Sequence, residues 1–312
     1  MYYTFCLIRE LNKRHCDLMI NIRNLVRINQ QAQSNKKTDN GNKKLQIPPQ
    51  LLVGGLLVLT ILSMVLWSEH WSHFPYDQLR VGPRLSPPSK IHWFGTDGFG
   101  RDVWSRLVIG SRYTLGMAFT ASLISMLPGT FLGLIAGYRG GWLDRILSRF
   151  IDLLLSLPGL LLAIILIARL GPSMLTTAIA LGVTGIPAFY RVIRTETITL
   201  SMAPFVEAST LAGARTFRIL FRHICPHLYP DLIVLGSLRI GTFMLAGSGL
   251  SFIGLGAQSP TPEWGVLLSE GKQFMNTAWW LWVFPAAAIM LAVFSFNLFG
   301  DGLRDWVDER SR

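Results

Sequence analysis

Charge is scarce in this chain, and acidic charge is scarcest. Of 312 residues, 29 are Lys or Arg and 18 are Asp or Glu, while half are hydrophobic. The apolar residues fall in long blocks, which excludes an ordinary soluble domain. Cysteine is nearly missing: Cys6, Cys16 and Cys225 are odd in number, so they are expected as free thiols. Catalytic signatures are missing too, with no H-E-x-x-H and no G-x-S-x-G. GVLLSEGKQ at 265–273 approaches a phosphate loop, but it has five residues between its glycines where four are needed, and Gln273 where a hydroxyl would hold magnesium. GSGLSFIGLG at 247–256 lacks the dinucleotide-binding spacing, and no strand precedes it. Its glycines Gly247, Gly249, Gly254 and Gly256 are expected to kink or end a helix instead. His223, Cys225 and His227 are close in sequence, but Pro226 sits among them and no further ligand is evident, so no metal site is expected. The chain shows no catalytic constellation of its own and is not expected to be an enzyme.

The net charge of +11 suggests a nucleic-acid partner, but its distribution argues against one. Residues 1–50 hold nine Lys/Arg against three acids, and NQQAQSNKKTDNGNKK within them is almost free of apolar side chains. This segment reads as a disordered cytoplasmic tail, with Met19 as an alternative start. It has no apolar core of a cleavable signal peptide.

Six membrane spans are expected, at about 51–67, 113–137, 150–170, 173–193, 230–255 and 279–300. Most Lys and Arg then lie on one side, which the positive-inside bias makes the cytoplasm, with both termini there. The fold class is an all-α polytopic membrane protein: tail 1–50, first span, external loop 68–112 and a core over 113–312. The external loop is rich in Pro and aromatics and holds six Lys/Arg against four acids. Gly129, Gly133 and Gly137 recur every four residues, which permits close helix approach. Packing within the chain is the expected use, with a subunit interface as the alternative. Charges within spans are costly and usually face a cavity, and two of them are singled out here. Asp152, near the inner end of the third span, is either a pathway contact or a side chain reaching the interface. Arg239 is deeper in the fifth span and is expected to face a cavity.

The inner loop 194–229 contains FVEASTLAGARTFRILFRHICP, residues 205–226. Pro204 suits a first helical turn, and Glu207 then lies near the positive helix end. Gly213 can turn the chain, and a second helix is expected from about 214 to 224, ended by Pro226. It would carry Arg215, Arg218 and Arg222 on one side and Phe217, Leu220, Phe221 and Ile224 on the other. So short a pair cannot bury its apolar stripe alone. By spacing, it lies on a membrane surface or fits a partner's groove.

Glu207-Ala208-Ser209, Gly213 six residues after the glutamate, and Pro226 resemble the EAA loop of ABC importer permeases, with Ser209 for an alanine and Cys225 for a leucine. FGTDGFGRDVWSRLVIGSR at 94–112 resembles the G-T-D-x-x-G-R-D-x-x-S-R lip of the dipeptide/oligopeptide/nickel class, with Gly95, Thr96, Asp97, Gly100, Arg101 and Asp102 at its core. LSFIGLGAQSPTPEWGVLL at 250–268 and FNLFGDGLRDWVDER at 296–310 resemble two further segments of that class. The resemblance covers about residues 90–310 and implies a type I ABC importer permease fold. It implies a multi-pass subunit of the bacterial inner membrane that moves peptides, or alternatively nickel or a metal chelate, by alternating access. It further implies that loop 203–226, with Glu207, Ala208, Ser209, Gly213, Arg215, Arg218 and Pro226, couples to an ATPase. The implied partners are a second homologous permease, two ATP-binding subunits, an extracytoplasmic solute-binding protein and membrane lipid. ATP and Mg would be bound by the ATPase subunits, and this chain would bind no cofactor.

Overall fold

The computed structural model describes residues 48–310. The expected tail lies outside the described residues apart from 48–50, where Pro48 and Pro49 start the first helix. Helix α1 is Pro49–Leu66. A proline at the first helical position has no N–H to leave unpaired and a φ already suited to the helix.

Helix α2 is Val103–Arg139, 37 residues long. At about 1.5 Å per residue it reaches about 55 Å, well beyond an apolar layer of about 30 Å. It begins at Val103 and not at 113 because the Asp102 side chain accepts the Ser105 N–H and caps it there. The motif 103–112 is therefore three helical turns standing above the apolar span.

The third expected span is broken. Gly141–Leu155 (α3) and Gly159–Leu170 (α4) meet at an 85° bend. Pro158 lies in the break; it has no N–H to donate and disfavours a helical conformation at Leu157. Five other helices are long and apolar enough to cross a membrane, making six if the bent pair counts as one span. Among them, α5 is Met174–Ser201, opened by a capping box between Ser173 and Thr176. It continues to Ser201, past the expected end at 193, since nothing in 194–201 breaks a helix. After α6, Pro204–Leu211, the chain turns at Gly213 with φ +76°. Thr216–Arg218 then leads through a π-helical stretch, Ile219–Ile224, and a 3-10 turn, Cys225–Leu228, into α7, Tyr229–Phe252. Pro226 thus does not end the helix as expected. A wider turn before it and the tighter turn that contains it carry the chain past the missing N–H. Helix α7 ends where Gly254 takes φ +83°. A short α8, Trp264–Gly271, and a long α9, Trp280–Arg310, complete the chain.

The α2–α5 pair is the spine, and the glycine ladder explains it. A Cβ on Gly129 would sit 2.6 Å from Phe189 Cβ, on Gly133 3.0 Å from the Tyr190 carbonyl, and on Gly137 2.7 Å from the Arg194 carbonyl. The GxxxGxxxG run therefore packs within the chain, backbone against backbone. Gly54 and Gly302 seat α1 on α9 in the same way. Most of the remaining α1 surface is exposed leucine and valine, the face a helix turns to lipid.

Candidate functional site

Three regions hold the residues singled out by sequence. The first is the loop around α6. Val206, Ile219, Leu220, Ile224 and Leu228 are buried in one cluster with Leu134 of α2, Phe189 and Ile193 of α5, and Leu232 of α7. These anchors hold up a surface that no other described residue covers. Glu207, Ala208, Gly213, Arg215, Arg218 and Pro226 are exposed, and Ser209 is half-buried with its hydroxyl donating to the Phe205 carbonyl. Leu211 is 83% exposed and Phe217 71%. Phe217 and Phe221 pair with their rings tilted by 36° and centroids 4.4 Å apart, and both are exposed. The expected split of arginines from apolar residues therefore fails at these two rings. The π-helical stretch rotates Ile219 and Leu220 inward and leaves the aromatic pair beside Arg218. Hydrophobic periodicity assumes 3.6 residues per turn and cannot register that change.

The second region is the lip. Gly95 and Gly100 take φ +75° and +72°, conformations that favour glycine, and so fold 94–102 tightly. Thr96, Asp97, Arg101 and Asp102 are all buried. Asp97 accepts the backbone N–H groups of Phe99 and Arg101 at 2.8 and 2.9 Å, and its other oxygen meets Arg101 Nε at 2.6 Å and Arg106 Nη1 at 2.9 Å. Glu270 of α8 receives Arg101 Nη2 at 3.0 Å and Arg106 Nη1 at 2.6 Å. Two cations and two anions thus share one network, in which Arg106 bonds through Nη1 alone while its Nε and Nη2 are buried without a hydrogen bond among the described residues. Asp102 also contacts His92 Nδ1 at 2.9 Å, and Trp280 Nε1 of α9 donates to the Thr96 carbonyl at 3.2 Å. The motif residues of the lip are its framework and not its surface.

Sequence reasoning missed the partners of this framework. Glu270 lies inside the stretch that resembles a broken phosphate loop. Glu263, fully buried, caps α8 through the N–H groups of Gly265 and Val266 and accepts hydroxyls from Thr114 and Ser248. The only sequence signal for it is its place in the stretch LSFIGLGAQSPTPEWGVLL at 250–268.

The third region is the interior of the helix bundle. Asp152 is exposed and pairs with exposed Arg191 at 3.2 Å. Arg239 is half-buried on α7 and lines a cavity of about 590 Å³ between α4, α5 and α7. Asp152 does not line that cavity, so Asp152 and Arg239 stand apart. A pair not foreseen from sequence ties α3 to α5: Arg194 Nη2 lies 2.6 Å from Asp144 Oδ2, with the Ser148 and Tyr190 hydroxyls 2.9 Å apart beside it. The His227 ring lies against Phe205, tilted by 40° with centroids 5.2 Å apart.

The fold resembles that of a chain in the inward-facing MetNI methionine ABC transporter. The TM-score is 0.52 at 19% identity, over 64% of this chain and 96% of that one, a match in architecture. This is the type I ABC importer permease fold. By sequence, the chain is 40% identical to the dipeptide transport system permease protein DppC of Alkalihalophilus pseudofirmus, over 86% of this chain and 89% of that protein. It is 41% identical to the glutathione transport system permease protein GsiD of Pectobacterium atrosepticum, over 83% and 86%. It is 36% identical to the probable D,D-dipeptide transport system permease protein DdpC of Escherichia coli, over 84% and 88%. Residues 129–312 match the family described as binding-protein-dependent transport system inner membrane component. The chain is a multi-pass membrane protein and belongs to that family of transport permeases.

Proposed function

We propose that this chain is the membrane-spanning subunit of an ATP-driven importer that carries di- and oligopeptides across the inner membrane. The cargo class rests on the relatives, whose names give dipeptide, glutathione and D,D-dipeptide transport. None of these three names a metal, so the nickel alternative is the weaker one.

The observation that carries the coupling role is the exposed ridge of Glu207, Leu211, Arg215, Phe217 and Arg218 on a buried apolar base. A ridge of mixed charge and bare apolar side chains suits a groove on a partner. Its base packs against α2 and α5, so displacing the ridge moves the spine of the bundle. Two ATPase subunits bind and hydrolyse ATP with Mg, and this chain binds no cofactor and catalyses no reaction. Their closure drives alternating access only if the ridge is held differently in the two states. A second, homologous permease covers the open side of the bundle, and lipid covers α1. A solute-binding protein docks on the outer lip, with both termini of this chain cytoplasmic.

The test is uptake of a labelled dipeptide, a longer peptide and nickel by a strain lacking this gene. It is carried out with wild-type and Glu207→Lys complementation. Peptide uptake restored by wild type and not by the variant is the expected result. Loss of nickel uptake alone replaces the cargo, and normal uptake with Glu207→Lys removes the coupling assignment.

A further inference from the structure

Arg239 has no hydrogen bond and no ion pair among the described residues, although it sits in the interior of a membrane-crossing helix. It lies ten residues into α7, about 15 Å from the helix start. The cavity it lines, about 590 Å³, falls within the size of small-molecule sites, roughly 300–1,000 Å³. Among the described residues, Arg239 is the one charged side chain on a wall of Leu, Ile, Phe, Ala and Gly, and no acid lines the cavity. Two hydroxyls are there as well, but each is already used: Thr184 donates to the Leu181 carbonyl at 2.7 Å, and Thr242 to the Leu238 carbonyl at 3.1 Å. The 85° bend at 156–158 turns α4 so that Gly159 and Leu160 form one side. On α7, Gly249 has no atom within 4 Å of where a Cβ would stand, so its lack of a side chain leaves the volume open.

A lone cation in an apolar wall lacks a counter-charge, and a planar guanidinium matches a carboxylate with two parallel N–H bonds. We infer that Arg239 is a cargo-binding residue, receiving the terminal carboxylate of a peptide as it passes. This inference rests on the peptide reading above and adds the group that is recognised and the side chain that recognises it. It makes the cavity selective for zwitterionic or anionic peptides over peptides whose C-terminus is blocked. The alternative occupant is an acid of the partner permease, and the experiment separates the two.

The measurement uses the whole importer in nanodiscs, without its binding protein, so that the binding protein's own selectivity does not enter. Retention of labelled dialanine is competed with unlabelled dialanine or dialanine amide. Wild type should prefer the acid at least tenfold. Arg239→Gln should reduce that ratio to about one, and Arg239→Lys should keep part of it. Gly249→Leu should cut retention of both ligands alike, because it fills the cavity without touching the charge. Co-purification with the other subunits shows that each variant assembles. Equal competition by acid and amide in wild type, an unchanged ratio in Arg239→Gln, or no retention by a wild-type importer that transports dipeptide in cells would each overturn the inference. A wild-type complex that restores no peptide uptake in cells overturns the peptide reading itself, and this inference with it.

Discussion

Arg106 on α2 and Glu270 on α8 lie 2.6 Å apart although 164 residues separate them. With Arg101 and Asp97 they bind the start of the longest helix to the short helix that follows α7. Arg106 is 1% exposed, so its charge depends on those partners.

Removing one member should therefore cost much more than removing both. Breaking a buried ion pair costs about 3–5 kcal/mol, while replacing the whole pair by neutral groups is often mild. Arg106→Met alone should sharply lower the thermal transition of the purified protein. Arg106→Met with Glu270→Gln should recover part of that loss, with a coupling of about 1–3 kcal/mol. Additive losses would show that the two residues act separately.

The exposed ridge predicts the opposite behaviour. Leu211 makes little contact within the chain, so Leu211→Ser should change stability by less than about 0.5 kcal/mol, while Phe217→Ser gives up only the ring contact with exposed Phe221 and should cost about 1 kcal/mol or less. If these side chains anchor a partner, each truncation should cost about 2 kcal/mol of binding, or about 30-fold in affinity. Titrating purified ATPase subunits onto the permease in nanodiscs measures this. Unchanged affinity in both variants would place the docking energy elsewhere on the loop.

How much of this was legible in the sequence depends on distance along the chain. The spans were visible because burial in lipid demands long apolar runs, and loop 203–226 was visible because Glu207, Gly213 and Pro226 keep a local spacing. Glu270 was unreadable, because nothing near it in sequence indicates that Arg106 is its partner. Asp144 and Arg194 are likewise fifty residues apart. Pro158 was plainly there, yet a hydropathy window averages across it and returns one straight span. The π-helical stretch at Ile219–Ile224 changes which residues face inward without changing composition at all.

The Asp144–Arg194 pair ties the broken third span to the spine. It is a two-bonded contact between a carboxylate and a guanidinium, reinforced by the Ser148–Tyr190 hydroxyl pair. Asp144→Asn should weaken it, and Tyr190→Phe should remove a single hydrogen bond, worth about 1 kcal/mol. The larger effect should come from Asp144→Asn, seen as faster hydrogen exchange over Gly141–Leu155. Equal exchange in Asp144→Asn and wild type would mean that packing alone holds α3.

The glycines of α2 allow a contrast within one helix. At Gly133 a Cβ would meet the Tyr190 carbonyl at 3.0 Å and the Arg194 nitrogen at 3.1 Å, both backbone atoms that cannot rotate away. Gly133→Val adds two methyl groups beyond that Cβ and must push α2 from α5, at a cost of about 1–3 kcal/mol or more. Gly116 is on the same helix, exposed, with no atom within 4 Å of where a Cβ would stand. Gly116→Ala should be neutral or stabilising by up to about 1 kcal/mol, since alanine loses less backbone entropy in a helix. Thermal melts of the two variants in one detergent decide between close packing and general glycine flexibility. If flexibility were what α2 requires, both substitutions would impair the protein. If close approach to α5 is the requirement, only Gly133→Val does, because only there does the neighbouring backbone occupy the space a side chain needs.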